Sequence, residues 1–311
     1  MANSFLRRLL VRQLLQGALV LVNVTVVVFL LLRAVPGDPV RLLLGMEASD
    51  DAVRAARQQY GFDQPAYVQY ARFVSAALRG DLGQSIRYRR PVKELLAESF
   101  PATLELTAMA VAIAMVLAVP AGVYAAVHRG GAVDRALMSA TLVGQAVPIF
   151  WFGIMLITLF SVKLAWLPTS GRGSLAQLVM PSATLSVYVV ALLARLTRSN
   201  MLDVLREPYV RTARAKGLRE SLIVHKHALM SAALPIVTVL GLQVGALLSG
   251  AVVTETVFNW PGIGTLTFHA IQQRDYPVVQ GVVLASAVLF VILNGALDAA
   301  YCYLDPRIRL G

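Results

Sequence analysis

Few side chains in these 311 residues combine the type and the spacing that catalysis demands. His225 and His227 are two apart, so on a helix they point to different faces and cannot close on one metal ion. His128 and His269 stand alone. Cys302 is the only cysteine; it has no disulfide partner and sits in an apolar run, where it behaves as a small hydrophobe. No Ser/His/Asp or Cys/His arrangement is suggested, and no Gly-x-x-x-x-Gly-Lys-Ser/Thr phosphate cradle occurs. If ATP drives this protein, another chain binds it. Ion-coupled transport would place carboxylates or histidines inside the bilayer, where burial makes them proton relays. Only Glu105 and Asp298 come near such positions, each close to the end of an apolar run, and Asp298 is suited to pairing with a basic group at the interface.

The remaining polar groups in the apolar runs are uncharged. Asn23, Thr25, Gln145, Gln243 and Asn294 suit hydrogen bonds between helices or a neutral, wettable passage. Gly241-x-x-x-Gly245, continued by Gly250, lets a second helix approach closely and marks a packing seam. The most informative stretch is Arg206-Glu207-Pro208-Tyr209-Val210-Arg211-Thr212-Ala213-Arg214-Ala215-Lys216-Gly217. Pro208 suits the first helical position, and Glu207 lies near the positive end of the helix dipole. Arg214 and Lys216 complement the negative end, and Gly217 is available for a left-handed cap. Such a helix has about two turns and is too short to be stable alone in water. Something must hold it, which points to a docking partner; the alternative is a plain basic surface loop.

The elements around these residues are set by a lipid solvent. Hydrophobic residues make up 57% of the chain and charged ones 14%, against about a quarter charged in soluble domains. The apolar content lies in six runs of bilayer length, near 9–32, 102–127, 136–162, 178–194, 234–254 and 278–303. The first follows Arg7, Arg8 and Arg12, exceeds a signal-peptide core in length and lacks a small-x-small cleavage site, so it is expected to remain as a helix. Pro101, Pro181, Pro235 and Pro277 are expected to open helices, while Pro120 and Pro148 should kink them. Lys and Arg concentrate at both ends of the chain, in the 128–135 turn and in the 195–226 loop; the opposite short loops hold only Lys163, Arg172 and Arg274. Both termini are therefore predicted to be cytoplasmic. The outer segment 34–100 reads as folded: a Pro36-Gly37-Asp38-Pro39 turn, a helix from a Ser49 cap to Tyr60 with Gly61 beyond it, and another from Pro65 to Leu78 ended by Gly80. On the second, Tyr67, Tyr70, Phe73 and Val74 form a stripe expected to pack on the membrane helices, or else to meet a ligand. The net charge of +11 alternates with apolar runs and is not interleaved with stacking aromatics, which argues against nucleic acid as a partner.

At the Tyr209–Leu218 loop the chain resembles the coupling-loop (EAA-type) motif of bacterial ABC importer permeases, in the form found in the dipeptide/oligopeptide/nickel family of DppB- and OppB-type subunits. Arg211, Thr212 and Ala213 stand where the general motif has Glu-Ala-Ala, and Leu234-Pro235 comes later than in the generic pattern. Both departures are usual for the peptide branch. The resemblance runs along nearly the whole chain. It includes Pro36-Gly-Asp-Pro39, Gly80-Asp-Leu-Gly83 with Ser85, Arg90-Pro91-Val92 and Pro101-Ala-Thr-Leu-Glu-Leu106. It continues through Pro148-Ile-Phe-Trp151, Leu167-Pro-Thr-Ser-Gly171, Glu255-Thr-Val-Phe-Asn-Trp-Pro-Gly-Ile-Gly264, Arg274-Asp-Tyr-Pro277 and Leu304-Asp-Pro-Arg-Ile-Arg309.

The resemblance implies an all-α membrane protein of about six transmembrane helices with a type I ABC importer permease fold, a MetI-like core plus an N-terminal helix. Its expected parts are the N-terminal transmembrane helix 1–33, an extracytoplasmic segment 34–100 and a five-helix core 101–311 carrying a cytoplasmic coupling loop at 195–232. It implies a multi-pass subunit of the bacterial inner membrane that is not itself an enzyme and binds no cofactor, with ATP and Mg held by partner ATPases. The implied partners are a homologous second permease, two cytoplasmic ATPases, an extracytoplasmic solute-binding protein and membrane lipid. Glu207 to Gly217 would contact an ATPase; Asn23, Gln145, Gly241, Gln243, Gly245 and Asn294 are candidates for the passage or for helix packing. The implied cargo is a di- or oligopeptide, with glutathione, nickel or another metal chelate as alternatives. A channel or secondary transporter is the reading from a different class.

Overall fold

The computed structural model describes residues 2–34, 39–44 and 48–304, with side chains described from 15 to 297 apart from 35–39, 42, 43, 45–47, 249 and 250. The described residues form fourteen α-helices and no extended strand. In chain order α1 is Ala2–Ala34, α2 Pro39–Leu44, α3 Asp50–Tyr60, α4 Ala66–Ala77, α5 Val92–Val127, α6 Ala132–Ala146 and α7 Ile149–Leu156. Then come α8 Leu175–Val204, α9 Pro208–Ala215, α10 Glu220–Leu222, α11 Leu229–Gly250, α12 Val252–Val257, α13 Ile263–Gln272 and α14 Tyr276–Leu304. A π-helical segment, Ile157–Lys163, continues α7, and another, Ile223–Ala228, joins α10 to α11. The Pro36–Pro39 turn, the pairing of Asp298, the burial of Cys302 and the Leu304–Arg309 motif fall outside the described residues or side chains.

Five helical stretches are long and apolar enough to cross a membrane: Leu15–Ala34, Val92–Val127, Leu175–Val204, Glu220–Leu248 and Tyr276–Leu297. The expected third span is broken. Ala132–Ala146 and Ile149–Lys163 qualify only together, and they meet at 102°. The cause is local: Pro148 disfavours the helical region for the residue before it, and both Val147 (ψ 125°) and Pro148 (ψ 131°) are extended. Three other prolines do not open helices as expected. Pro101, Pro181 and Pro235 lie inside α5, α8 and α11. For α8 the start is set upstream by a capping box, in which Ser174 and Gln177 satisfy each other's backbone donors. Membrane helices tolerate such interior prolines because neighbouring groups re-satisfy the freed carbonyls.

The chain divides into two compact units, Met1–Pro101 with Gly262–Gly295, and Ala102–Pro261 with Ala296–Gly311. In the first, α3 begins at a Ser49 cap, whose Oγ accepts from the Ala52 N–H at 3.3 Å, and ends at Gly61 with φ 71°. The stripe on α4 is used only in part. Tyr70 packs edge-on against Phe29 of α1 and shares a 3.0 Å hydrogen bond with Thr25, whereas Tyr67 is 76% exposed. The apolar centre of this unit joins Val92, Leu95 and Leu96 to Ile263, Leu266, Val278 and Val282. Asp275, 1% exposed, ties the 85–87 turn to the start of α14: it accepts from the Ser85 hydroxyl, from the Ile86 and Arg87 N–H groups at 3.2 and 3.1 Å, and from the Val278 N–H at 3.5 Å.

In the second unit, α5 buries Ala102, Leu106, Ala110, Ala114 and Ala118, one residue every four. These meet Leu185, Val189 and Leu193 of α8. The ladder ends at Gly122, where a Cβ would stand 2.7 Å from the Ala194 carbonyl oxygen, so only glycine permits the approach. Trp260 closes the top of this core, donating its Nε1–H to the Ala102 carbonyl at 2.9 Å. Beside it the buried Glu255 accepts from the Thr103 hydroxyl at 2.7 Å.

Candidate functional site

The segment between α8 and α11 is organised around α9. Glu207 is extended (φ −62°, ψ 146°) and Pro208 takes the first helical position, where its missing N–H costs nothing. At the far end the Leu218 N–H donates to the Ala213 carbonyl at 3.3 Å and the Gly217 N–H to the Arg214 carbonyl at 2.9 Å, the paired bonds of a Schellman closure. Gly217 has φ 77°, a left-handed conformation that strains any side chain even though its Cβ would meet nothing within 4 Å. Residues 195–204, which the sequence predicts as the beginning of the loop, are instead the last turns of α8.

The short helix finds its first support inside the chain. Val210 is fully buried, and α9 packs on the π-helical segment 223–228. The Tyr209 hydroxyl donates to Ser231 Oγ at 3.0 Å. Arg214 grips Glu220 through two bonds of 2.7 and 3.1 Å, and the hydrogen bond to that carboxylate raises the guanidinium above its ordinary pKa. Stability alone therefore does not demand an outside partner, a correction to the expectation drawn from length. The other face stays open to solvent: Glu207, Pro208, Tyr209, Arg211, Thr212, Arg214, Ala215, Lys216 and Gly217 are all exposed, although Tyr209 and Arg214 are engaged with Ser231 and Glu220, and Ala213 is half-buried. One buried valine anchors a helix whose remaining surface is polar, basic and available.

The six passage or packing candidates do different things. The Asn23 and Asn294 amides donate back to Leu19 and Phe290 of their own helices, at 2.8 and 3.0 Å. Gln145 is engaged between helices: its Oε1 accepts from Arg195 of α8, while its Nε2 is buried with no partner among the described residues. Gly241 lies against Leu297, whose side chain occupies the space a Cβ would need. Gly245 is buried and Gln243 half-buried on the same helix. The histidines are engaged singly: His128 stacks on Tyr124 at 4.1 Å, and His225 Nδ1 lies 3.0 Å from the Ser221 carbonyl oxygen.

Two ionic features escaped the sequence. Arg198 holds Asp134 through bonds of 2.6 and 2.7 Å, and Asp134 accepts in turn from the Gly130 N–H at 2.9 Å. With Arg195 on Gln145, this places two arginines of α8 against α6. Their spacing of three, which puts them on one helix face, was the available signal. The Asp275 junction had only a weak one, an acidic residue directly before Tyr276-Pro277 at a helix start.

With the geometry established, known proteins can be set beside the chain. The family described as "Binding-protein-dependent transport system inner membrane component" matches residues 118–310, and the corresponding N-terminal family matches residues 6–107. The glutathione transport system permease protein GsiC of Escherichia coli O6:H1 is 45% identical over 286 residues, covering 92% of this chain and 94% of that protein. GsiC of Salmonella paratyphi A is 44% identical over 310 residues, covering 99% of each chain. Among solved structures, an inward-facing conformation of the MetNI methionine ABC transporter superposes with a TM-score of 0.59 at 19% identity, over 68% of this chain and 97% of that one. At that identity the likeness concerns the fold.

Proposed function

The chain belongs to the family of binding-protein-dependent transport system inner membrane components, and from that premise we propose that it moves short peptides of the glutathione class. It is a multi-pass inner membrane permease of an ABC importer with a type I, MetI-like fold. In this reading residues 1–33 anchor the subunit, 34–100 form its outer part, and 101–311 are the five-helix core, with both termini in the cytoplasm. A second homologous permease completes the passage and a solute-binding protein delivers the cargo. Two ATPases hold ATP and Mg, and each permease presents one short helix to them. In this chain that helix is α9.

The observation that carries this reading is the construction of α9: opened by Pro208, closed by Gly217, held through Val210, and exposing its basic face. A rigid, short element of this kind transmits displacement without dissolving. ATP-driven closure of the ATPases around it biases the permease between inward- and outward-facing states, each favoured by a different bound partner.

Proteoliposomes test the assignment. The permease pair with its ATPases and binding protein is expected to accumulate radiolabelled glutathione only when ATP and the binding protein are both supplied. Uptake by this chain alone would replace the importer with a channel. Preferential uptake of a nickel chelate over glutathione and dipeptides would keep the machine and change its cargo.

A further inference from the structure

A cavity of about 150 Å³ lies within the unit formed by 1–101 and 262–295, bounded by the end of α1, the turn between α3 and α4, and the start of α14. Its walls are aromatic: Phe29, Tyr60 and Tyr276 line it, with Phe62 set edge-on to Tyr276 at 5.9 Å. Its charged groups are Arg33 and Arg72, and no aspartate or glutamate lines it. Arg33 stacks on the Phe29 ring at 3.4 Å and donates to the Phe29 carbonyl at 3.2 Å and to Gln69 Oε1. Both acceptors are neutral. Elsewhere in the same unit Arg41, Arg54 and Arg90 each reach a carboxylate, but among the described residues neither Arg33 nor Arg72 does. The Gln280 side chain completes the lining.

A guanidinium drawn partly out of water against a ring, with only amide and carbonyl partners, leaves its charge unbalanced. Arg33 in that state, with the exposed Arg72 lining the same small space, favours an anion, and the planar fork of arginine matches a carboxylate. The volume equals about five waters, enough for the last residue of a peptide, and the aromatic walls suit its stem. We propose that this cavity binds the terminal carboxylate of the peptide cargo as it enters the permease. The proposal rests on the transport reading above and adds a point of recognition that lies in this chain and not in the binding protein. A lipid phosphate is the other source of a suitable oxyanion.

Equilibrium dialysis separates them. The assembled importer, without its binding protein, is placed in nanodiscs and titrated with radiolabelled glutathione; glutathione amidated at both carboxyls serves as competitor. Saturable binding is expected, weakened at least about tenfold in Arg33→Gln and in Arg72→Gln and untouched by the diamide. Arg72 is exposed, so its variant is informative even if Arg33→Gln fails to assemble, which gel filtration reports. Equal affinity in wild type and Arg72→Gln, or equal competition by the diamide, overturns the proposal. So does an affinity for glutathione that rises when phosphatidylglycerol is left out of the nanodiscs, the mark of a headgroup in the cavity. Uptake is measured separately: transport without this binding removes the pocket and leaves the importer standing, and binding without transport does the reverse.

Discussion

Asp275 and Arg214 are both charged groups beside helix ends, and the fold treats them in opposite ways. Asp275 is 1% exposed and collects donors from a turn nearly two hundred residues away in sequence. Arg214 and its partner Glu220 are six apart, with side chains 45% and 53% exposed. The first arrangement fixes two distant segments to one another. The second trims a helix that stays accessible on most of its surface. A machine that changes state needs both kinds, a joint that does not yield and a handle that others can grasp.

Four substitutions probe this contrast. Asp275→Ala is expected to have the largest effect, about 3 kcal/mol or more, because the Ser85 hydroxyl and the Ile86 and Val278 N–H groups would lose their acceptor while buried. Unfolding in detergent measures it, and a loss below about 1 kcal/mol would break the contrast at its stronger side. Val210→Ala removes the anchor of α9 and should cost about 1–2 kcal/mol locally, read as faster hydrogen exchange in 208–217 with little change in global unfolding. Gly217→Val forces a β-branched residue into a left-handed conformation at about 1–2 kcal/mol. Its expected signature is ATP hydrolysis that proceeds without matching uptake. Arg214→Glu should change stability by less than about 1 kcal/mol, as exposed pairs do, yet lower coupled uptake. If pairing is what matters, Glu220→Arg in the same chain restores it; if the basic surface matters, it does not.

How much of this was readable beforehand depends on where each partner lies. The caps of α3 and α9 are local chemistry, so Ser49, Gly61, Pro208 and Gly217 announce themselves within a few residues. The apolar runs announce the spans for the same reason. The starts of α5, α8 and α11 were misplaced at Pro101, Pro181 and Pro235, since a proline reads as a beginning only when nothing stronger lies upstream. For α8 the capping box at Ser174 did. Ser85 with Asp275, Arg198 with Asp134 and Arg33 with Gln69 are brought together only by the tertiary fold; the Arg195/Arg198 spacing and the acidic residue before Tyr276 mark one side of two of these pairs, and neither names its partner. Val210 is not singled out by the sequence as an anchor, because only the fold sets α9 against the 223–228 segment.

The break at Val147–Pro148 bears on how the protein is made. Helix α6, and α7 with its π-helical continuation, are each roughly 22 Å long, short of the roughly 30 Å of hydrocarbon. The extended residues between them interrupt the helical hydrogen-bond ladder, although the Val147 N–H still reaches the Val143 carbonyl and the Phe152 N–H the Pro148 carbonyl. Both halves pack on α8, which is synthesised after them. The third span therefore has no comfortable place in the bilayer as it emerges from the ribosome. The bend is expected to insert together with α8: nascent chains that end before α8 should stay crosslinked to the insertion machinery, and chains that include it should be released.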